Sequence, residues 1–226
     1  MRESPHAIAD LACLIDADSL PLLRRHVDRV SSEIIPSLIA ELQRPEIIFA
    51  ESDESLPVES QKKLATLQVQ RRANDVRRRA MAAAWLFRLG EAEFVWPLLK
   101  KRPDDSLRYA VIDRIRLVGG EIDPVLSQLR SAAFRPSTDT AINTTDQYSE
   151  LHMLLLLVGE LAGQIHDATR ENTVKLVGEL FENHPDPGVH SSCEWALNQF
   201  EATSKIQEIR DRLLSASLVE NRNWYV

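Results

Sequence analysis

Apolar residues recur every three or four positions along most of this chain, and no stretch sustains the alternation that marks a half-buried strand. The pattern predicts a first short helix from Pro5 to Ile15. A second starts at Ser19-Leu20-Pro21 and carries Leu22, Leu23, His26, Val27 and Val30 along one side; a third, Ser31 to Leu42, presents Ile34, Ile35, Leu38, Ile39 and Leu42. Leu20–Val30 and Ser32–Gln43 therefore read as an antiparallel helical hairpin. From Pro45 to Glu59 the periodicity stops: two prolines and the acids Glu46, Glu51, Asp53, Glu54 and Glu59 predict an acidic loop. Helical spacing resumes from Gln61 to Val69 and continues, with a break expected near Ala73-Asn74-Asp75 and a cap at Asn74 or Asp75, into Val76–Leu89.

Gly90 ends that segment, and further helices are expected at Phe94–Lys100, Leu107–Val118, Val125–Ala132, Gln147–Ala162, Arg170–Glu182, Val189–Phe200 and Lys205–Ser217. Met153 to Val158 is apolar on every side, which predicts the most buried helix of the chain. Asp186 is placed to cap the helix that Pro187 and Gly188 open, with Val189, Cys193, Leu197 and Phe200 on its inner face. The pattern also repeats. Arg79, Arg108, His152 and His190 each follow a polar or turn-like stretch, and Gly90, Gly119 and Gly163 lie eleven residues after the first three. Three residues beyond each start stand Ala82, Val111, Leu155 and Cys193; ten beyond stand Leu89, Val118, Ala162 and Phe200. These columns share a helix face, so each repeat offers a stripe to its neighbour. The expected fold is all-α, an α-solenoid of antiparallel helix pairs of HEAT or armadillo type. Its parts are an N-terminal helical hairpin (1–44), the acidic loop (45–60), the repeats (61–219) with a polar insertion at 134–146, and a tail (220–226).

Composition changes this picture little. With 226 residues, 44% of them hydrophobic and 27% charged, the chain can bury a sizeable core. A net charge of −7 argues against a dedicated nucleic-acid or anionic-membrane binder. The longest apolar run is too short to span a bilayer, and Cys13 and Cys193, 180 residues apart, form no metal or redox spacing. A cytoplasmic chain is expected, with both cysteines as small core residues.

Three groups of residues could carry chemistry. His190, Cys193 and Glu194, with His184 and Asp186 nearby, have spacing a metal could use, but Cys193 falls in the buried column, and no metal or cofactor is expected. Arg71, Arg72, Arg77, Arg78, Arg79 and Arg88 form the one dense basic cluster; few aromatics interleave with it, so it reads as a solvated helix face. Trp85, Trp96 and Trp195 lie on apolar faces and read as core, whereas Trp224 in the polar tail is either an exposed anchor or the first packing contact of a further domain. With Tyr225 and with Arg71, Arg72, Arg77 and Arg78 it makes up the candidate interaction surface.

Arg79-Ala80 through Leu89-Gly90-Glu91-Ala92-Glu93, then Val95-Trp96-Pro97-Leu98-Leu99, Leu107-Arg108, Asp186-Pro187-Gly188-Val189-His190 with Glu194-Trp195, and Arg222-Asn223-Trp224-Tyr225-Val226 resemble, in that order, the helical-repeat region of large planctomycete-type bacterial proteins. The resemblance covers roughly residues 70 to 226 and departs at the 134–146 insertion and at Ser191, Ser192 and Cys193, where small residues such as alanine are expected. In such proteins a serine/threonine kinase domain often precedes the repeats and a domain like the formylglycine-generating, sulfatase-modifying enzymes follows. The resemblance implies a fragment with no catalytic residue of its own, a scaffold that meets protein partners or neighbouring domains of its parent chain. The competing expectation is a stand-alone helical-repeat nucleic-acid binder or glycosylase, which requires the arginines from Arg71 to Arg88 to converge on one concave pocket with an acid or aromatic.

Overall fold

The structure, a computed structural model, describes residues 4–45, 57–135 and 141–215, and it is all-α, with no strand among the described residues. Among the described residues eleven α-helices follow in order: α1 Pro5–Leu14, α2 Leu20–Arg29, α3 Ser31–Leu42, α4 Val58–Arg88, α5 Trp96–Leu99, α6 Ser106–Val118, α7 Asp123–Ala133, α8 Ala141–Glu160, α9 Asp167–Asn183, α10 Pro187–Gln199 and α11 Thr203–Ser215. Among the described residues no helix is long and apolar enough to cross a membrane. Two compact units divide the chain: unit 1 comprises Met1–Val95 and Tyr109–Val118, unit 2 Trp96–Arg108 and Gly119–Val226.

In unit 1, the last third of α4 packs against α1 and α3. The run Ala80 to Phe87 is buried, and its small alanines let the neighbouring backbones approach closely. Trp85 is fully buried, and its Nε1 donates to the Ala12 carbonyl at 3.0 Å, so the one polar atom of the indole is satisfied inside the core. The break expected near Ala73-Asn74-Asp75 does not occur: α4 runs unbroken for 31 residues. Asp75 does not cap a helix; it lies 3.9 Å from Arg79, one turn on, an arrangement that supports a continuing helix. At 100° per residue, Val58, Ala65, Val69, Ala73 and Val76 also continue the stripe that Ala80, Ala83 and Phe87 bury.

Unit 2 is built on α8 and α10, which pack on each other; α7 also packs on α8, and α9 and α11 pack on α10. Met153, Leu154, Leu155, Leu157 and Val158 are fully buried, as the all-round apolarity predicts; Leu156 is half-buried. The indole of Trp195 in α10 packs against Gly159 of α8, where even a β-carbon would sit 2.2 Å from the ring. The polar insertion is shorter than expected, because α8 already begins at Ala141; residues 136–140 lie outside the described residues, as do 46–56 of the acidic loop and 216–226 of the tail.

The repeat columns are buried at Ala82, Val111, Leu155, Cys193, Val118, Ala162 and Phe200, while Leu89 is half-buried. The turn that closes α4 recurs at the end of α10. At Gly90, with φ of +91°, the Glu91 amide returns to Leu86 and the Gly90 amide to Phe87. Eleven residues after His190, Glu201 adopts φ of +56°, with its own amide on Asn198 and that of Ala202 on Leu197. Both are Schellman caps, and the α10 turn keeps the left-handed backbone without the glycine that normally permits it. Gly119 is also left-handed, at φ of +79°, whereas Gly163 falls within a 3₁₀ turn at Ala162–Gln164.

Candidate interaction site

The site is an apolar groove in unit 1. In α1, Ile8, Ala9, Ala12 and Cys13 turn inward, which leaves Leu11 54% and Leu14 56% exposed. In α2 the inward stripe is Leu20, Leu23 and Val27. Leu22, expected on that stripe, is instead 83% exposed, because it lies about 100° around the helix from Leu23. Between the helices, Asp16 Oδ1 accepts the Ser19 amide at 2.8 Å; this bond fixes the turn and holds the carboxyl below its ordinary range. Together these residues shape a groove of about 570 Å³, with Leu11, Leu14, Ile15, Leu22 and Leu23 along it and Asp16 and His26 at its polar margin.

The arginine cluster divides. Arg71 and Arg72 are exposed on α4, as a solvated face requires. The other four are structural, which corrects that reading for them; Arg79 is buried and pairs with Asp75 one turn before it. Arg78 grips Glu41 of α3 with Nε at 2.8 Å and Nη2 at 2.9 Å, and Nη2 also reaches Asp10 of α1 at 2.8 Å. Arg44 adds two bonds to the same carboxylate. These hydrogen bonds hold Glu41 below the usual carboxylate range, although it is a buried acid, and raise the Arg78 guanidinium further. Arg77 Nη2 donates to the Leu14 and Ile15 carbonyls, both at 3.4 Å, so α4 supports the rim of the groove; Arg88 clasps Asp28 of α2 at 3.0 and 2.7 Å. Cys13 beneath is pushed up to about 12 by burial and by the Glu41 carboxylate, which makes it a thiol and not a nucleophile.

Unit 2 places the repeat-start residues in a polar series. Arg108 is buried, donating from Nη2 to Asp105 at 2.8 Å and from Nη1 to Ser149 at 2.5 Å. His152 bonds through Nδ1 to Ser192; since that hydroxyl gives its proton to the Gly188 carbonyl at 2.7 Å, Nδ1 is the donor. A serine at 192, where alanine is expected, thus satisfies a half-buried histidine. His190 Nδ1 donates to Phe181 O at 2.8 Å, its ring stacked on Phe181 at 4.2 Å. Asp186 caps α10 as expected, Oδ1 accepting the Val189 amide at 2.9 Å, while its own amide donates to His184 Nδ1 at 3.2 Å. A depression of about 280 Å³ lies over this turn, lined by Tyr148, Ser149, His152, Asp186 and Gly188. Burial lowers His152, the Gly188 carbonyl opposing that shift and Arg108 adding to it; burial lowers His184 likewise. Both imidazoles are therefore held neutral, as packing groups with hydrogen bonds to make.

The metal arrangement does not assemble: the His190 ring turns to Phe181, Cys193 is fully buried with its thiol raised by burial, and no group of ligands suited to a metal occurs among the described residues. Trp96 and Trp195 are half-buried; Trp224 and Tyr225 lie outside the described residues. The groove itself escaped sequence reasoning. Its one signal was the surplus of leucines on α1 and α2 beyond what an inward stripe uses. No protein-family model, curated protein or solved structure matches the chain.

Proposed function

We propose that the chain is a non-catalytic helical-repeat scaffold, an α-solenoid of antiparallel helix pairs that serves as the protein-interaction segment of a larger cytoplasmic bacterial protein, beside a serine/threonine kinase domain, a formylglycine-generating-enzyme-like domain, or both. The observation that carries this reading is the groove of α1 and α2, where three leucines are left more than half exposed around a concave apolar surface, the form in which helical proteins take a partner's side chains. The recurring Schellman turn and the polar series Arg108–Ser149 and His152–Ser192, each linking one repeat start to the neighbourhood of the next, support the repeat architecture. The nucleic-acid reading loses support because Arg77, Arg78 and Arg88 are engaged within unit 1 and do not converge on a pocket. Titration of the adjoining domains of the parent protein into the methyl-labelled chain tests the proposal. Shifts at Leu11, Leu14 and Leu22, lost in Leu22→Glu, are the expected result; groove methyls indifferent to every adjoining domain would overturn it.

A further inference from the structure

The groove lies beside its own complement. Leu22 is the most exposed large apolar side chain among the described residues, and it stands at the edge of the cleft that Leu11, Leu14, Ile15 and Leu23 form. A knob next to a hole on one surface suits a two-fold axis, since rotation brings each knob over the other copy's hole. The charges have the same symmetry. Exposed Asp16 and Asp18 stand just before α2, and exposed Arg25 and Arg29 at its middle and end; Asp28, also exposed there, is held by Arg88 on another side of the helix from Leu22. In an antiparallel pair of α2 helices, the acidic end of one meets the basic end of the other, and the helix dipoles oppose favourably. A parallel pair would set like against like.

We infer that the α1–α2 groove binds a second copy of this chain, α2 crossing α2 antiparallel near Leu23, with Leu22 of each copy seated in the groove of the other and Asp18 facing Arg29 across the axis. This inference rests on the groove being an interaction surface and names its partner. An interface confined to two short helices per copy lies at the low end of specific surfaces, about 1,200 Å² in total, so the pair dissociates in roughly the micromolar range.

Sedimentation velocity of the chain across about 1 to 200 µM tests it. The wild type should pass from monomer to dimer over that range. Leu22→Glu should weaken pairing at least about tenfold with no change in melting temperature, because Leu22 is solvent-exposed in the monomer. Asp18→Arg should weaken pairing about fivefold, and adding Arg29→Asp should restore it to within about threefold of wild type. A chain monomeric throughout, a dimer indifferent to Leu22→Glu, or an Asp18→Arg defect that Arg29→Asp does not repair would each overturn the inference. Failure here and failure of the scaffold proposal are distinguishable: a strictly monomeric chain whose groove methyls still respond to an adjoining domain loses only the self-pairing.

Discussion

Unit 1 and unit 2 hold their central helices by different physics. In unit 1, α4 is fastened to its neighbours by guanidinium groups: Arg78 on Glu41 and Asp10, Arg88 on Asp28, and Arg77 on the carbonyls of Leu14 and Ile15. In unit 2, guanidinium pairs fasten the outer helix α11, Arg210 on Glu194 and Arg212 on Glu182. At the centre the Met153–Val158 run of α8 is apolar and almost wholly buried, and α8 is joined to α10 by the Trp195–Gly159 contact and by the neutral bond from His152 to Ser192. Charged fasteners tolerate water at their edges, so unit 1 can leave leucines exposed beside them; an apolar hub with desolvated imidazoles excludes water. Unit 1 therefore has the surface suited to a partner, and unit 2 the character of a frame.

The sharpest way to break that contrast is at the hub. Leu155 is fully buried, and Leu155→Ala removes its side chain from a well-packed interior, which should cost about 2–5 kcal/mol in chemical denaturation. A loss below about 1 kcal/mol would mean that unit 2 is not organised around α8. Next comes Arg78→Ala in unit 1. Glu41 is largely buried and would keep only Arg44, so an estimate of about 1.5–3 kcal/mol follows, scaled down from fully buried pairs because Arg78 is partly exposed. A neutral Arg78→Ala would return that arginine to the solvated face that the sequence pattern suggests.

That pair also marks what the sequence made legible. Burial of the 153–158 run, the Asp186 cap and the repeat columns follow from local patterns, since periodicity and capping act within one or two turns. The partners of Arg78 do not: Asp10 and Glu41 are 68 and 37 residues away, and nothing local separates an arginine on a solvated face from one that meets a carboxylate in space. The unbroken α4 was misread for a related reason, because Asp75 suits a cap as well as a mid-helix pair with Arg79, and its surroundings decide. The groove was hidden because an exposed leucine and a buried one look alike until the inward stripe of α2 is fixed by what packs on it.

Acid should separate the two units. Burial depresses His152 and His184, so the unfolded chain binds more protons than the folded one once pH falls below the ordinary imidazole value of about 6.5. Their stabilisation is complete above that value and is lost as pH drops through the depressed folded values. The groups facing His152 are Arg108, Asp186, Ser192 and the Gly188 carbonyl, and of these Arg108 resists its protonation. Glu41 in unit 1, also depressed, loses its contribution only below the carboxylate range near 4.3. Residue-resolved amide exchange from pH 7 to 5 should therefore show unit 2 protection falling first, with a shallower fall in His152→Asn. Unit 1 opening first would invert the comparison.

The smallest effect tests whether the two units share one repeat. Glu201 holds a left-handed backbone at the end of α10, as Gly90 does at the end of α4, and an L side chain there is strained by its own β-carbon, whatever surrounds it. Glu201→Gly relieves that strain while adding freedom to the unfolded chain, and the balance should stabilise by about 0.5–1 kcal/mol. Gly90→Ala should do the opposite by a comparable amount, because no atom lies within 4 Å of its would-be β-carbon and only the backbone conformation is at stake. Equal and opposite shifts in urea midpoints, at unchanged m-values, would show one cap geometry used in both units, with glycine in unit 1 and under strain in unit 2. If Glu201→Gly destabilised the chain, the Glu201 side chain would have to contribute more than its strained backbone costs, and the equivalence of the two turns would fail.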